Sequence, residues 1–367
     1  MRILALDIGT GTQDILLFDS SMAVQNNVKM VLPSPTAVIA RRISGATGAG
    51  HPVYFTGVTM GGGPVKRALT AHTATGLPAY ATAEAALTFH DDPKVVKGMG
   101  VTIVDDARGV AASGVEAIEL RDLDLAAVRS ALSAFGVDPQ FDAVAVAVLD
   151  HGLTPPGMSN RVSRFQYLER LMKQKNRLSA FAHLKEELPE SLTRMKAVAD
   201  TADVDCPLLL MDTGAAAALG ALQDSVVARL ERTVTVNIGN SHTVAFHLNQ
   251  GRIEGLLEHH TNLLDGPKIE GLIERLLEGS LTREEVYADG GHGAVIVNGT
   301  PDRPLVVVTG PRQQLMTNSR HTVHISSPHG DTMMAGCYGL VSACGTRIAK
   351  WRQEIEKALG VKLPPSD

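Results

Sequence analysis

The chain has 367 residues, 44% of them hydrophobic and 20% charged, which is enough for two domains with full hydrophobic cores. A formal net charge of −5 argues against a nucleic-acid binder, which carries a basic excess. No apolar run reaches the roughly 18 residues of a membrane span, no h-region with a cleavage site follows Arg2, and Cys206, Cys337 and Cys344 are too few and odd in number for a disulfide framework. A cytoplasmic protein is expected.

Residues 2–18 predict an apolar strand ending at Asp7, a turn of small residues (Gly9-Thr10-Gly11-Thr12) and a second apolar strand. Gly9 and Gly11 let backbone N–H groups come close to a ligand. Such a turn, with its hydroxyls, makes a concavity suited to phosphate. Asp7 is suited to holding a divalent metal through water. Alone, the stretch also reads as a glycine-rich hairpin with an incidental carboxylate.

Residues 28–32 predict a third strand, closed by Pro33 and Pro35. The Gly- and Ala-rich residues 33–140 read as an inserted subdomain. It contains a strand over 51–57 and a glycine loop, Met60-Gly61-Gly62-Gly63, opening a helix near 67–72. That loop could take an anion beside Lys66 and Arg67, or be a tight turn with two solvated cations. Helical spacing recurs over 83–89 and 125–135, the latter capped by Asp124.

Residues 143–149 form an unbroken apolar run, as in strands buried on both faces of a parallel sheet. The run ends in Asp150-His151-Gly152, at the carboxyl end where open α/β sheets place ligands. Residues 161–200 predict mostly helix, broken near Pro189. Their basic residues read as a solvated face or as a contact for an acidic partner. Residues 207–211 predict another buried strand, leading into a helix of small residues that Asp212 or Thr213 can cap.

Residues 234–246 then repeat the first hairpin, with Asn237-Ile238-Gly239 in place of Asp7-Ile8-Gly9. Two such hairpins about 230 residues apart predict a duplicated domain whose halves face one cleft. A strand over 252–257, an amphipathic helix over 265–277 and a loop over 289–294 follow. Next come a buried strand over 304–308 ending in Thr309-Gly310-Pro311-Arg312, a strand over 322–325, a small-residue helix over 331–344 and a last helix before Pro364.

This order resembles the superfamily of ATPases and sugar kinases that includes actin, hexokinase and the heat-shock chaperone ATPases. Residues 7–13 and 237–243 resemble its two phosphate motifs, 212–220 and 331–345 its connecting helices, and 308–312 its adenosine motif. The resemblance implies an α/β fold of duplicated ribonuclease H-like (actin-like ATPase) domains with inserted subdomains. The first would span 1–212, with an insertion at about 33–140 and a helical segment at 161–200; the second would span 213–367.

The resemblance also implies ATP and Mg²⁺ as cofactors. Asp7 would hold the Mg²⁺ through water. Gly9, Thr10, Gly11, Thr12 and Gln13 would bind phosphate from one side, and Asn237, Gly239, Asn240, Ser241 and Thr243 from the other. Gly310, Pro311 and Arg312 would lie beneath the nucleotide. Asp150 or Asp212 would be the general base, with His151 as a substrate-binding or acid–base group. Asn237 departs from the family's usual Asp, and Pro311-Arg312 from its commoner second glycine.

An ATP-dependent kinase or ATPase acting on a small molecule is expected. One alternative is a nucleotide-dependent switch for a protein partner, contacted through the basic residues of 161–177. Another is a metal-dependent hydrolase-like relative using His151, His242, His259, His260, His292 or His329, although none of these pairs has the i, i+4 spacing of a helical metal motif. A homodimer stays open; nucleic acid and membrane are not expected partners.

The whole chain is also similar to a prokaryotic family labelled for pyruvate formate-lyase activation. That radical chemistry needs a Cys-x₃-Cys-x₂-Cys cluster, which Cys206, Cys337 and Cys344 cannot supply. Nor is any cysteine pair placed to share a cluster between subunits, as activators of 2-hydroxyacyl-CoA dehydratases require.

Overall fold

The computed structural model describes residues 1–110, 113–155, 157–300 and 302–365. The chain opens with β1 (Arg2–Ile8), β2 (Thr12–Asp19) and β3 (Val28–Pro33). There follow α1 (Pro35–Ala49), β4 (Val53–Gly57), α2 (Gly63–Ala74), β5 (Ala79–Ala81), α3 (Ala83–Ala86), α4 (Pro93–Gly98), β6 (Val101–Ile103) and β7 (Glu116–Leu120). Then come α5 (Leu125–Ala134), β8 (Ala143–Ala147), α6 (Asn160–Gln174), β9 (Ala182–Leu184), α7 (Thr193–Thr201), β10 (Leu208–Met211) and α8 (Thr213–Ala221). The rest is β11 (Arg232–Ile238), β12 (His242–Asn249), β13 (Arg252–His260), α9 (Gly266–Glu278), α10 (Arg283–Ala288), β14 (Gly293–Ile296), β15 (Leu305–Thr309), β16 (Val323–Ile325), α11 (Ala335–Arg347) and α12 (Arg352–Leu359).

Two sheets share one plan. The first runs β3-β2-β1-β8-β10-β9 and the second β14-β13-β12-β11-β15-β16. In each, an antiparallel meander (β3-β2-β1, β13-β12-β11) continues into two parallel strands (β8-β10, β15-β16). The extra edge strands differ: β9 lies antiparallel on β10, and β14 antiparallel on β13. The fold is therefore α/β, with duplicated ribonuclease H-like domains of the actin-like kind.

The copies agree in detail. Ile8 pairs with Gln13 and Ile238 with Thr243, so each turn has four residues. Gly9 N–H donates to the Thr12 carbonyl and Gly239 N–H to the His242 carbonyl, both at 2.9 Å. The middle of β1 is apolar on both sides because helices cover both faces of its sheet: Ile3, Leu4, Ala5 and Leu6 are all fully buried. The insertion adds a four-stranded parallel sheet, β6-β5-β4-β7, with its own apolar core.

Between the sheets, α8 crosses α11 at backbone contact. A Cβ on Gly220 would overlap the Ala335 carbonyl, and one on Gly339 the Ala216 carbonyl. α8 leaves the first sheet and packs on β11 and β15, while α11 leaves the second and packs on β1 and β2. One apolar core thus runs from β1 and β8 through both helices to β12 and β13.

Several local expectations need correction. Residues 161–200 are mostly helical and broken around Pro189 as expected, but β9 also lies among them, because the free edge of β10 supplies a pairing partner that no local pattern announces. The strand expected to stop at 257 runs on to His260, pairing that residue with His242. His259 and His260 are therefore strand residues rather than loop residues. Helix is confined to Ala83–Ala86 where 83–89 was expected. Among the described residues no helix is long and apolar enough to cross a membrane.

Candidate functional site

A cleft of about 1170 Å³ opens between the two sheets. It is lined by Asp7, Gly9, Thr10 and Thr12 from the first hairpin and by Asn237, Gly239, Asn240 and Ser241 from the second. The turns meet: a Cβ on Gly11 would overlap the Asn240 side chain.

Asp7 is the last residue but one of β1, just before the turn. Its register partner is Asp14, so two carboxylates sit side by side on the hairpin. One oxygen of each is buried with no hydrogen-bond partner. Burial pushes the Asp7 carboxyl well above the usual range, and the charges of Asp14 and Asp212 push it further. Asp14 is pushed up to about 7, chiefly by burial and against a hydrogen bond from Thr12. Gly336, near the start of α11, makes room for Asp7, since a Cβ there would overlap its carboxylate. Two adjacent carboxylates, each with one buried orphaned oxygen, fit a hard divalent cation.

Opposite, β15 is followed by Gly310, whose φ of +93° favours glycine. A Cβ there would come within 2.6 Å of the Ile238 carbonyl oxygen. Asn237 takes the place corresponding to Asp7, and its side-chain oxygen accepts from the Thr309 hydroxyl at 3.3 Å. Gly310 and Pro311 line the cleft, whereas Arg312 does not; its backbone N–H donates to the Ile238 carbonyl. Gln13 and Thr243 are also absent from the lining. Gln13 donates to the Pro33 carbonyl, and the Thr243 hydroxyl pairs with that of Thr261.

The two candidate bases differ. Asp150, just after β8, lines the cleft and accepts backbone N–H bonds from Gly152 and Met195, both at 2.8 Å. Burial outweighs these bonds and raises its pKa. Asp212 lies outside the lining. It caps α8 through Gly214 N–H and pairs with Arg164 at 2.8 Å.

Arg164, on α6, is almost fully buried. It donates to Asp212, to Glu258 at 2.8 Å and to the Asp150 carbonyl at 2.7 Å. Burial opposes its charge, but the two carboxylates more than restore it. Glu258, on β13, is completely buried, and Arg164 offsets the cost of that burial and holds its pKa low. Spacing in the sequence gave no signal for this triad, because its members are 48 and 94 residues apart.

His151, His242 and His260 line the cleft, and His292 lies behind them. His151 Nε2 is 3.0 Å from His292 Nε2, and the His242 ring is within 6 Å of both, centroid to centroid. His259 turns away to Asp289, and His329 to Gln223. The glycine loop Gly61–Gly63 also borders the cleft with Lys66, Arg67, Asn160 and Arg194. Arg194 is fixed by a two-pronged pairing with Asp122 and by the Leu149 carbonyl.

The model of a family described as "Putative pyruvate format-lyase activating enzyme (DUF1786)" matches residues 60–315, well over half of the chain. The chain belongs to this family. The activity in that description needs a cysteine-held iron–sulfur cluster, and the residues present do not fit one. Cys206, Cys337 and Cys344 are free, and Cys337 is buried with its thiol donating to the Asp14 carbonyl at 3.1 Å. No curated protein matches the chain.

Similar solved structures include an inorganic polyphosphate/ATP-glucomannokinase from Arthrobacter sp. strain KM (11% identity, 98% of this chain and 99% of that one covered, TM-score 0.36). The activator of the 2-hydroxyisocaproyl-CoA dehydratase from Clostridium difficile with bound ADPNP is another (10% identity, 99% and 98% covered, TM-score 0.32). A third is MreB5 of Spiroplasma citri bound to ADP (12% identity, 96% and 97% covered, TM-score 0.32). The fold assignment rests on the paired strand orders rather than on these likenesses.

Proposed function

We propose that the protein binds ATP·Mg²⁺ in the cleft and transfers the γ-phosphoryl group to a small molecule or to water. One observation carries this reading: two equivalent hairpin turns face each other above Asp7, one oxygen of which is buried with no hydrogen-bond partner. Backbone N–H groups and hydroxyls of Gly9–Thr12 and of Gly239–Ser241 would hold phosphate oxygens, and Gly310 would pass beneath the nucleotide. Asp7 would hold Mg²⁺ through water, and the ion would neutralise phosphate charge.

Phosphoryl transfer asks mainly for positioning and electrostatics. Asp150 is the better placed base, because it lines the cleft and its raised pKa suits it to accept a proton. Asp212 would serve by holding Arg164. Lys66, Arg67, Asn160 and Arg194 border the cleft as donors suited to an anionic or polyhydroxyl acceptor. We take residues 1–212 and 213–367 as the two halves that grip the nucleotide, and the free cysteines as consistent with a cytoplasmic setting.

Calorimetric titration with ATP, with and without Mg²⁺, tests the reading. Wild type should bind in a Mg²⁺-dependent way and Asp7→Ala should not. A folded wild type that binds no ATP would show that the hairpins are scaffold only.

A further inference from the structure

The geometry points to a second metal site, distinct from the Asp7 position: a divalent transition metal held by His151, His242 and His292 on the floor of the cleft. The three residues come from separate elements. His151 follows β8, His242 opens β12 and His292 immediately precedes β14. One ring nitrogen from each lies within 4.8 Å of those of the other two. Imidazole nitrogens on a tetrahedral zinc, at about 2.0–2.1 Å from the metal, stand roughly 3.3 Å apart. Small side-chain rotations would bring the set to that spacing, and His151 and His292 are already at 3.0 Å.

A bare histidine cluster leaves its polar atoms unsatisfied. His242 Nε2, His292 Nδ1 and Glu258 Oε1 are buried with no hydrogen-bond partner. A buried donor or acceptor without a partner is costly, so three in one place need a reason. A cation supplies one for two of them, because it takes up the His242 Nε2 lone pair and faces the fully buried Glu258 carboxylate. Glu258 Oε1 lies 3.7 Å from His292 Nε2, the nitrogen that also faces His151, so this carboxylate stands beside the metal position as a compensating charge. Burial also disfavours the imidazolium form of all three rings, which keeps lone pairs available for a metal.

The donor set of three neutral imidazoles suits zinc or a neighbouring transition metal and not Mg²⁺. It leaves one coordination position open. His151 and His242 line the cleft, and Ser241 of the second turn is the chain neighbour of His242. The open position therefore lies beside the phosphate turn, where it could take an oxygen atom of the acceptor. His260 packs against His242 and His292, with centroids 5.0 and 4.7 Å away, as a neighbour outside the ligand set.

Co²⁺ titration of tag-free, metal-stripped full-length protein, without nucleotide, tests the site by its visible ligand-field absorption. One equivalent should bind and be displaced by Zn²⁺. Changes to outer partners alone cost about 10–100-fold in affinity, so His151→Gln and His242→Ala should each exceed that loss. His183→Ala, outside the cleft, should leave binding unchanged. The partly exposed His151 can be replaced without emptying the core, and thermal melts verify folding. Absence of saturable Co²⁺ binding in wild type, or full binding retained by folded His151→Gln, would overturn the proposal. Both readouts are independent of ATP, so failure of the nucleotide reading leaves this one standing or falling alone.

Discussion

At the scale of single residues, the site is a set of charges buried in pairs. Arg164 is the hinge of that set, with side-chain exposures of 4% for Arg164, 7% for Asp212 and 0% for Glu258. Removing one partner of a buried ion pair strands the others, at about 3–5 kcal/mol. Arg164→Met should cost that much in urea unfolding; a loss under about 1 kcal/mol would mean that water or rearrangement replaces the guanidinium. Asp14 carries the opposite lesson. Burial raises its pKa from 3.8 to about 7, so the fold penalises its ionised form. Its favourable contribution is complete below the unfolded value and is lost as pH rises through about 7. In metal-free protein, Asp14→Asn should therefore raise the melting temperature at pH 8 and change it little at pH 4. Equal effects at both pH values would contradict the buried-acid assignment.

At the scale of elements, the decisive contact is between α8 and α11. Both helices are rich in Gly and Ala, and their backbones touch where Gly220 and Gly339 lack side chains. Overpacking in a core typically costs about 1–3 kcal/mol, and backbone yields less readily than a flexible side chain. Gly339→Ala should lower stability by about that amount or more in a denaturant titration, whereas Gly271→Ala, which meets open space on α9, should not destabilise the protein. The hairpins show how much an element owes to its own sequence. Each is a strand, a four-residue turn and a strand in continuous chain, and each is legible for that reason. The three-residue strands β5, β6 and β9 are not, because their hydrogen-bond partners are supplied by neighbouring strands remote in sequence.

At the scale of the molecule, the cleft volume of about 1170 Å³ exceeds the roughly 300–1,000 Å³ of an ordinary small-molecule pocket. It has room for a nucleotide and a second substrate together. The two hairpin turns belong to different sheets, so a nucleotide held by both would draw the halves together. Small-angle scattering should show a smaller radius of gyration on addition of ATP and Mg²⁺ and no change with ATP alone in EDTA. An unchanged radius in both would mean that the cleft is already closed.

What the sequence alone determined was local and repetitive: the two hairpins, the apolar strand before Asp150, the cap at Asp124, and hence the duplicated fold. Adjacent residues dictate these features through alternation, turn chemistry and capping, and no distant partner is needed. Only the tertiary structure decided which of the candidate groups meet. It set Asp150 in the cleft and Asp212 beneath it, turned Gln13 and Thr243 away, and joined Arg164 to Glu258. It also gathered His151 with His292, 141 residues apart in the chain. Such meetings depend on strand order and helix crossing, and a buried charge or imidazole finds its compensation wherever the packed chain happens to bring it.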